Sequence, residues 1–326
     1  MRRVLVTGGA GYIGSHACKQ LALNGIEPVV FDNLSRGHRD AVKWGPLVVG
    51  DLHDTTFLLE TMKTYRPDAV MHFAALAYVG ESVEHPNRYY TNNVAGTLSL
   101  LNAMKLADIR HFVLSSTCAV YGEPSALPIS EETPRNPVSP YGRSKFFIEE
   151  MLDDYATAQG LNYVALRYYN ACGADEEGEA GERHDPETHL IPRALMAADG
   201  TLSHLDIYGA DYDTPDGTCI RDYIHVSDLA EAHYLALNYL SENTSRTAFN
   251  LGVGQGHSIY QVLDAIERVT GRAVPRQIKP RRAGDPSALY ADPRKAAQGL
   301  RFAASRSSIE NIVRTAWDFM QRAKGA

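Results

Sequence analysis

Tyr141 and Lys145, four residues apart in Pro-Tyr-Gly-Arg-Ser-Lys, are the residues of this chain with the plainest chemical use. On a helix that spacing puts both side chains on one face. A phenol with an ordinary pKa of about 10 is a poor base at neutral pH. An ammonium nearby favours the phenolate and turns tyrosine into a general base. A surface Tyr/Lys pair has the same spacing, so the elements around it must decide. Thr117 stands 24 residues upstream, just after the apolar run 111–115. A hydroxyl at the C-terminal end of such a strand lies at the mouth of an α/β sheet, where ligands bind. Thr117 is therefore a candidate for holding a substrate hydroxyl beside Tyr141.

The residues before this pair read as cofactor machinery. An apolar strand at 3–7 enters Gly8-Gly9-Ala10-Gly11-Tyr12-Ile13-Gly14, and a helical pattern follows from Ser15 to about Asn24. Gly8, Gly11 and Gly14 suit a tight turn, a close approach to a pyrophosphate and close helix–strand packing. The helix start offers free N–H groups and partial positive charge. A second strand, 27–31, ends in Asp32, 18 residues after Gly14. A carboxylate there accepts hydrogen bonds from the adenosine ribose and repels a 2′-phosphate, which favours NAD over NADP. Arg36 keeps NADP formally open. A third strand, 47–50, ends in Asp51-Leu52, placed to meet the adenine. A fourth, 69–73, runs from Phe73 into Ala74-Ala75, small enough for the chain to pass close to a cofactor. Strands alternating with helices in this way predict an α/β fold, a doubly wound parallel Rossmann sheet.

At 326 residues the chain exceeds the usual limit for one core, so a smaller mixed α/β substrate-binding domain is expected beside the sheet. The boundaries expected are 1–170 for the NAD-binding domain, with part of 218–252 returning to it, and 171–326 for the substrate-binding domain. A net charge of −7 and no basic block disfavour nucleic acid as the main partner. The chain lacks an apolar run long enough to span a membrane, and no signal-type core follows the first residues, so a cytoplasmic protein without a membrane partner is expected. Four scattered cysteines form no Cys-x-x-Cys, and twelve histidines show no His-x-x-x-His, so no metal is expected.

Taken together these motifs resemble the extended short-chain dehydrogenase/reductase family, and within it the UDP-glucose 4-epimerases. The likeness runs nearly end to end: 7–16 (TGGAGYIGSH), 72–82 (HFAALAYVGES), 92–97 (NNVAGT), 140–145 (PYGRSK), 167–170 (RYYN), 216–225 (DGTCIRDYIH) and 282–285 (RAGD). The resemblance implies a bound NAD and a UDP-sugar. Tyr141 would take the proton of the sugar 4-hydroxyl while hydride leaves C4, and the 4-keto sugar would turn over and take the hydride back. Lys145 would lower the tyrosine pKa and bind the nicotinamide ribose. By the same likeness Tyr12, Ile13, Asn33, Ser35, Asn92 and Tyr169 join the cofactor contacts. Nucleotide-sugar dehydratases of the family carry an Asp-Glu pair after the active-site threonine. Cys118 and Ala119 stand here instead, and neither can do that acid–base work.

For the substrate half, the resemblance assigns Arg221 and Arg282 to the pyrophosphate, Asp285 to a uridine ribose hydroxyl, and Asn170 to a phosphate or the sugar. Guanidinium groups suit phosphate because they bind it bidentately. Leu190, Ile207 and Tyr208 would enclose the uracil. His189 is included although many relatives carry Asn there. Ala77 replaces a lysine that contacts the cofactor in many relatives. Leu289 stands where the sugar's 2-substituent is limited, leaving N-acetylated sugars open. A UDP-xylose/UDP-arabinose epimerase, a net dehydrogenase and a non-catalytic NAD sensor are the alternatives. Residues 173–186 read as an exposed acidic loop between the domains, followed by short helices alternating with loops. A homodimer through helices near 90–105 and 142–157 is implied by the resemblance.

Overall fold

Continuous apolar runs such as Val4-Leu5-Val6, with no exposed surface, mark strands covered on both faces, as parallel sheets require. A computed structural model describes residues 1–282 and 285–325; Ala283 and Gly284 of the RAGD motif lie outside the described residues. The strands are β1 (Arg3–Thr7), β2 (Glu27–Asp32), β3 (Leu47–Val49), β4 (Ala69–His72), β5 (His111–Thr117), β6 (Asn162–Tyr168), β7 (Asn170–Cys172), β8 (Leu205–Tyr208), β9 (Ile220–His225), β10 (Arg246–Leu251), β11 (Gly256–Ser258), β12 (Arg276–Lys279) and β13 (Ala288–Leu289). Seven of them form one parallel sheet in the order β10-β6-β5-β4-β1-β2-β3. The order reverses between β1 and β4, and the crevice beyond their C-terminal ends is where such sheets bind ligands.

Side chains alternate across β1. Val4 and Val6 pack under the helices Tyr12–Leu23 and Val226–Glu242, and Leu5 packs on the opposite face. There the helices Thr55–Tyr65, Gly96–Leu106 and Pro140–Gln159 supply Leu58, Leu100, Leu152 and their neighbours. Each such leucine contributes about 1.5–3 kcal/mol by leaving water. β10 pairs with β6 over six positions and closes the far edge of the sheet. The smaller lobe holds a four-stranded sheet of β11-β9-β13 with β7 on β9, a parallel pair β12-β8, and its own core.

Two expectations need correction. Residues 173–186 are not simply an exposed loop: Gly173, Ala174, Asp175 and Ala180 are buried. Part of the segment is ion-paired with the cofactor lobe rather than solvated. Lys19 reaches Asp175 at 2.8 Å and Glu179 at 2.7 Å, and Arg183 grips Asp40 with two 2.8 Å bonds. The second lobe is not made of short helices either. Ile259–Thr270 runs for 12 residues and Ile309–Gly325 for 17, and Tyr208 and Arg221 lie on strands.

One buried ion pair ties the sheet to the helix that carries Tyr141. Glu149 is 2 % exposed, and its carboxylate accepts from Arg167 Nε at 3.0 Å and from the Ser116 hydroxyl at 2.6 Å. Replacing it by alanine leaves Arg167 unpaired in the interior. Glu149→Ala is expected to lose about 3–5 kcal/mol of stability in urea denaturation; a loss under about 1 kcal/mol would show the pair to be peripheral.

Candidate active site

The helix Pro140–Gln159 starts where its sequence says it should. The Ser139 hydroxyl accepts from Gly142 N at 3.1 Å, Pro140 occupies the first turn, and Gly160 ends the helix at φ 70°. Its first turn lies against the turn that follows β5: a Cβ on Gly142 would come 2.5 Å from the Ala119 carbonyl. That close approach brings Tyr141 beside Thr117, the last residue of β5. Thr117 Oγ1 itself accepts from Ala119 N at 3.1 Å. Tyr141 and Lys145 are both buried.

The electrostatics of this pair differ from the simplest expectation. Burial drives the Tyr141 phenol well above its ordinary pKa, Tyr168 adds to the rise, and the Thr117 hydroxyl opposes it. Lys145 is pushed down to about 8 by burial, with the Glu149 charge opposing. Its ammonium donates to the Ser115 carbonyl at 2.7 Å, so in the protein alone it anchors β5 to the helix. A phenolate here needs further positive charge brought in with a ligand.

The glycine turn closes the crevice from the β1 side. Gly8 adopts φ +76°, and a Cβ on Gly14 would fall 2.2 Å from the Gly8 carbonyl, so the helix Tyr12–Leu23 begins hard against the turn. No side chain caps that helix, which leaves its first N–H groups for an anion. Ile13 packs under the sheet, while the Tyr12 hydroxyl donates to the Gly173 carbonyl at 2.6 Å and binds to this turn the segment 173–189, a strap along the cofactor lobe. Asp32 is buried, with burial raising its pKa and hydrogen bonds from Leu34 N (2.8 Å) and Ala10 N (3.0 Å) opposing. Its carboxylate is therefore fixed in direction. Asn33 donates to Asp51 at 2.9 Å, Ser35 N donates back to Asn33 at 3.0 Å, and Leu52 is buried beside them. Phe73 and Ala74 donate their N–H groups to the Thr7 carbonyl, and Ala75 continues half-buried. The Tyr169 hydroxyl is buried with no partner among the described residues. An uncapped helix start, a fixed acidic acceptor and an orphaned hydroxyl fit a dinucleotide's pyrophosphate and riboses.

On the other lobe, β9 aligns Arg221 with Leu289 of β13, and Arg221 pairs with Asp285. The Arg282 guanidinium lies over the Tyr208 ring, 3.8 Å from its centre. Asn170 donates to the Asp222 carbonyl at 2.9 Å, joining β7 to β9. Beside Arg282 and Asp285 a cavity of about 540 Å³ opens toward residues 123–127. Ile207 has no exposed surface and packs in the lobe's core, so only its backbone can face a ligand. Leu190 is half-buried against the same core. The His189 imidazole is engaged by Glu182 at 2.7 Å and Glu187 at 3.0 Å.

The shell behind these residues escaped sequence reasoning. His72 accepts or donates at both ring nitrogens, to Thr7 Oγ1 (2.7 Å) and Thr97 Oγ1 (2.9 Å), and burial lowers its pKa to about 3. Thr97 donates to Asn93 O (2.6 Å), Asn93 donates to Ser144 Oγ (3.0 Å), and Ser144 donates to Tyr141 O (2.7 Å). This chain links β1 and β4 to the start of the Tyr141 helix. Asn92, singled out for the cofactor, is half-buried and donates to Asn93 at 2.9 Å; Asn93 is the buried member of the pair. A polar residue inside the apolar run before Phe73 was the available signal.

The model of the NAD dependent epimerase/dehydratase family matches residues 4–252. A UDP-glucose 4-epimerase of Rhizobium meliloti is 50 % identical over 319 residues, 98 % of this chain and 97 % of that one. Among solved structures, the UDP-glucose 4-epimerase of Brucella ovis in complex with NAD is 59 % identical, covers 98 % of each chain and has a TM-score of 0.96. That of Bifidobacterium longum in complex with NAD+ and UDP is 38 % identical, covers 99 % of each chain and has a TM-score of 0.94. Among the described residues, no helix is long and apolar enough to cross a membrane.

The Lys145 pKa carries a sign that can be tested. Between about 8 and its ordinary 10.5, the unfolded chain holds a proton that the folded protein has lost, so stability rises with pH in that window and is flat below it. Measured against Lys145→Met in urea, the wild type is expected to gain stability from pH 8 to pH 10. A difference independent of pH there would mean that the ammonium keeps its ordinary pKa.

Proposed function

The chain belongs to the NAD dependent epimerase/dehydratase family, and from that premise we propose an NAD-dependent 4-epimerase interconverting UDP-glucose and UDP-galactose through a transient 4-keto sugar. The observation that carries this reading is the meeting of Thr117, Tyr141 and Lys145 at the mouth of the parallel sheet, with Cys118 and Ala119 rather than an acid pair behind Thr117. Hydride out and back, without elimination, is the chemistry these groups can serve.

When bound, NAD supplies an acceptor and donor for the C4 hydride and, in its oxidised form, a positive charge. Tyr141 takes the proton of the sugar 4-hydroxyl and returns it after the keto group has presented its other face. Thr117 orients that hydroxyl. Lys145, anchored on the Ser115 carbonyl, holds the nicotinamide ribose and helps offset the burial that raises the phenol. The uncapped helix after Gly11 takes the pyrophosphate of NAD, and Asp32 takes the adenosine ribose hydroxyls. Tyr12, Ile13, Asn33, Ser35, Asp51, Leu52, the 73–75 turn, Asn92 and Tyr169 complete the cofactor site. Arg221 and Arg282 hold the sugar nucleotide's pyrophosphate, Asp285 a uridine ribose hydroxyl, Asn170 a phosphate or the sugar, and Tyr208 the uracil, with Leu190, Ile207 and His189 along its border. Leu289, paired with Arg221 across the strands, borders the sugar's 2-position.

On this reading residues 1–170, with β10 and its preceding helix, work as the NAD lobe, and most of 171–326 as the sugar-nucleotide lobe. Exposed Val83, Leu98 and Phe147 on the helices of residues 79–106 and 140–159 support a homodimer; sedimentation at the mass of one chain would contradict it.

Purified protein incubated with UDP-galactose and no added cofactor is expected to yield UDP-glucose on chromatography. Conversion of UDP-arabinose alone would contradict the hexose assignment, and steady release of NADH would contradict epimerisation. Tyr141→Phe is expected to retain NAD and lower turnover about 10²–10⁴-fold; near-normal turnover would remove Tyr141 from its role. Asp32→Ala is expected to weaken NAD binding and relax discrimination against NADP, measured by fluorescence titration with each dinucleotide. An unchanged preference would contradict the role of Asp32.

A further inference from the structure

Within eight residues, Glu182-x-His184-x-x-Glu187-x-His189, the strap folds four potential ligands onto one point. The ligand atoms all lie within 4.8 Å of one another. His184 Nδ1 is 3.0 Å from Glu182 and 3.7 Å from Glu187; His189 Nδ1 is 2.7 Å and 3.0 Å from the same two. Metal–ligand bonds of 2.0–2.2 Å put neighbouring donors of a tetrahedron about 3.4 Å apart, so these contacts bracket the edge of such a polyhedron. Oε1 of Glu187 accepts from the N–H groups of Thr188 (2.7 Å) and His189 (2.8 Å), which fixes the carboxylate and leaves Oε2, 3.7 Å from His184 Nδ1, for an ion; such outer support is characteristic of metal ligands. The His184 ring is packed edge-on by Tyr12 and Tyr78. His189 is 45 % exposed and leaves an entrance from solvent.

We propose that Glu182, His184, Glu187 and His189 form a four-coordinate site for a divalent transition-metal ion of the zinc class. Two neutral imidazoles, two carboxylates and a dication sum to zero charge, which a half-buried position favours. Imidazole ligands select such ions over magnesium and calcium, which prefer all-oxygen shells. Asp175, Glu177 and Glu179, the other acidic group of the strap, already share the Lys19 ammonium and offer no imidazole ligand. The role of the ion is structural. Arg36 donates to the Asp185 carbonyl and His38 contacts the Arg183 carbonyl, so the strap is bonded to the loop that follows Asp32. An ion held by residues 182–189 fixes the strap against that loop. Of the four groups only His189 also borders the sugar-nucleotide site proposed above; Glu182, His184 and Glu187 have no part in that site, and the variants that test the ion leave His189 in place.

The test uses the untagged full chain, stripped with a chelator and titrated with Zn²⁺ alone by calorimetry, beside His184→Gln and Glu182→Gln. The wild type is expected to bind one equivalent per chain and to melt at a higher temperature with the ion. Either variant, shown to be folded by circular dichroism, is expected to bind about tenfold more weakly or worse. Co²⁺ in place of Zn²⁺ should give the strong visible bands of four-coordinate ligation. Absence of saturable binding, equal affinity in both folded variants, or equal affinity for Mg²⁺ would overturn the site and leave the four groups as a charge-paired cluster.

Discussion

The ammonium of Lys145 is buried where β5 meets the helix Pro140–Gln159, and the rest of the structure answers to that placement. An interior cation is costly unless it is hydrogen-bonded and its charge is balanced. The Ser115 carbonyl supplies the bond, and the Glu149 charge, one turn further along the helix, offsets part of the cost of burial. Glu149 in turn is fixed by Ser116 and by Arg167 of β6. Two adjacent strands and one helix are thereby locked in register. Thr117, at the end of β5, and Tyr141, one turn before Lys145, have no freedom to drift apart.

The same economy governs the β1 side of the crevice. Thr7, His72, Thr97, Asn93 and Ser144 form a continuous hydrogen-bonded chain from the end of β1 to the backbone of Tyr141. A neutral imidazole at its centre bridges two hydroxyls without placing a second cation beside Lys145. The glycine turn and the helix that carries Tyr141 are therefore parts of one rigid frame. The second lobe is joined to this frame by β7, which continues directly from β6 and pairs with β9, and by the strap across the cofactor lobe.

The first five strands of the sheet, the glycine turn, Asp32 and the Tyr141/Lys145 pair were legible in the sequence because each follows from local periodicity or from a residue type with a short list of uses. The supporting shell was not. Nothing in the spacing of Glu149, Arg167 and Ser116 announces that three segments converge, since each pairing depends on tertiary packing. The strap misled for a related reason: its acidic composition reads as solvated until Lys19 is brought to it. The pKa of Tyr141 shows the limit most sharply. A lysine four residues away suggests an acidic phenol, yet burial dominates in the folded protein and raises it.

The central claim is that the hydrogen at C4 leaves and returns within one protein molecule while Tyr141 handles only the hydroxyl proton. UDP-galactose deuterated at C4, incubated in ordinary water and followed by NMR of the product, tests it most directly. The account predicts UDP-glucose that retains deuterium at C4. Loss of the label to solvent would contradict it, because that hydrogen would then have travelled as a proton.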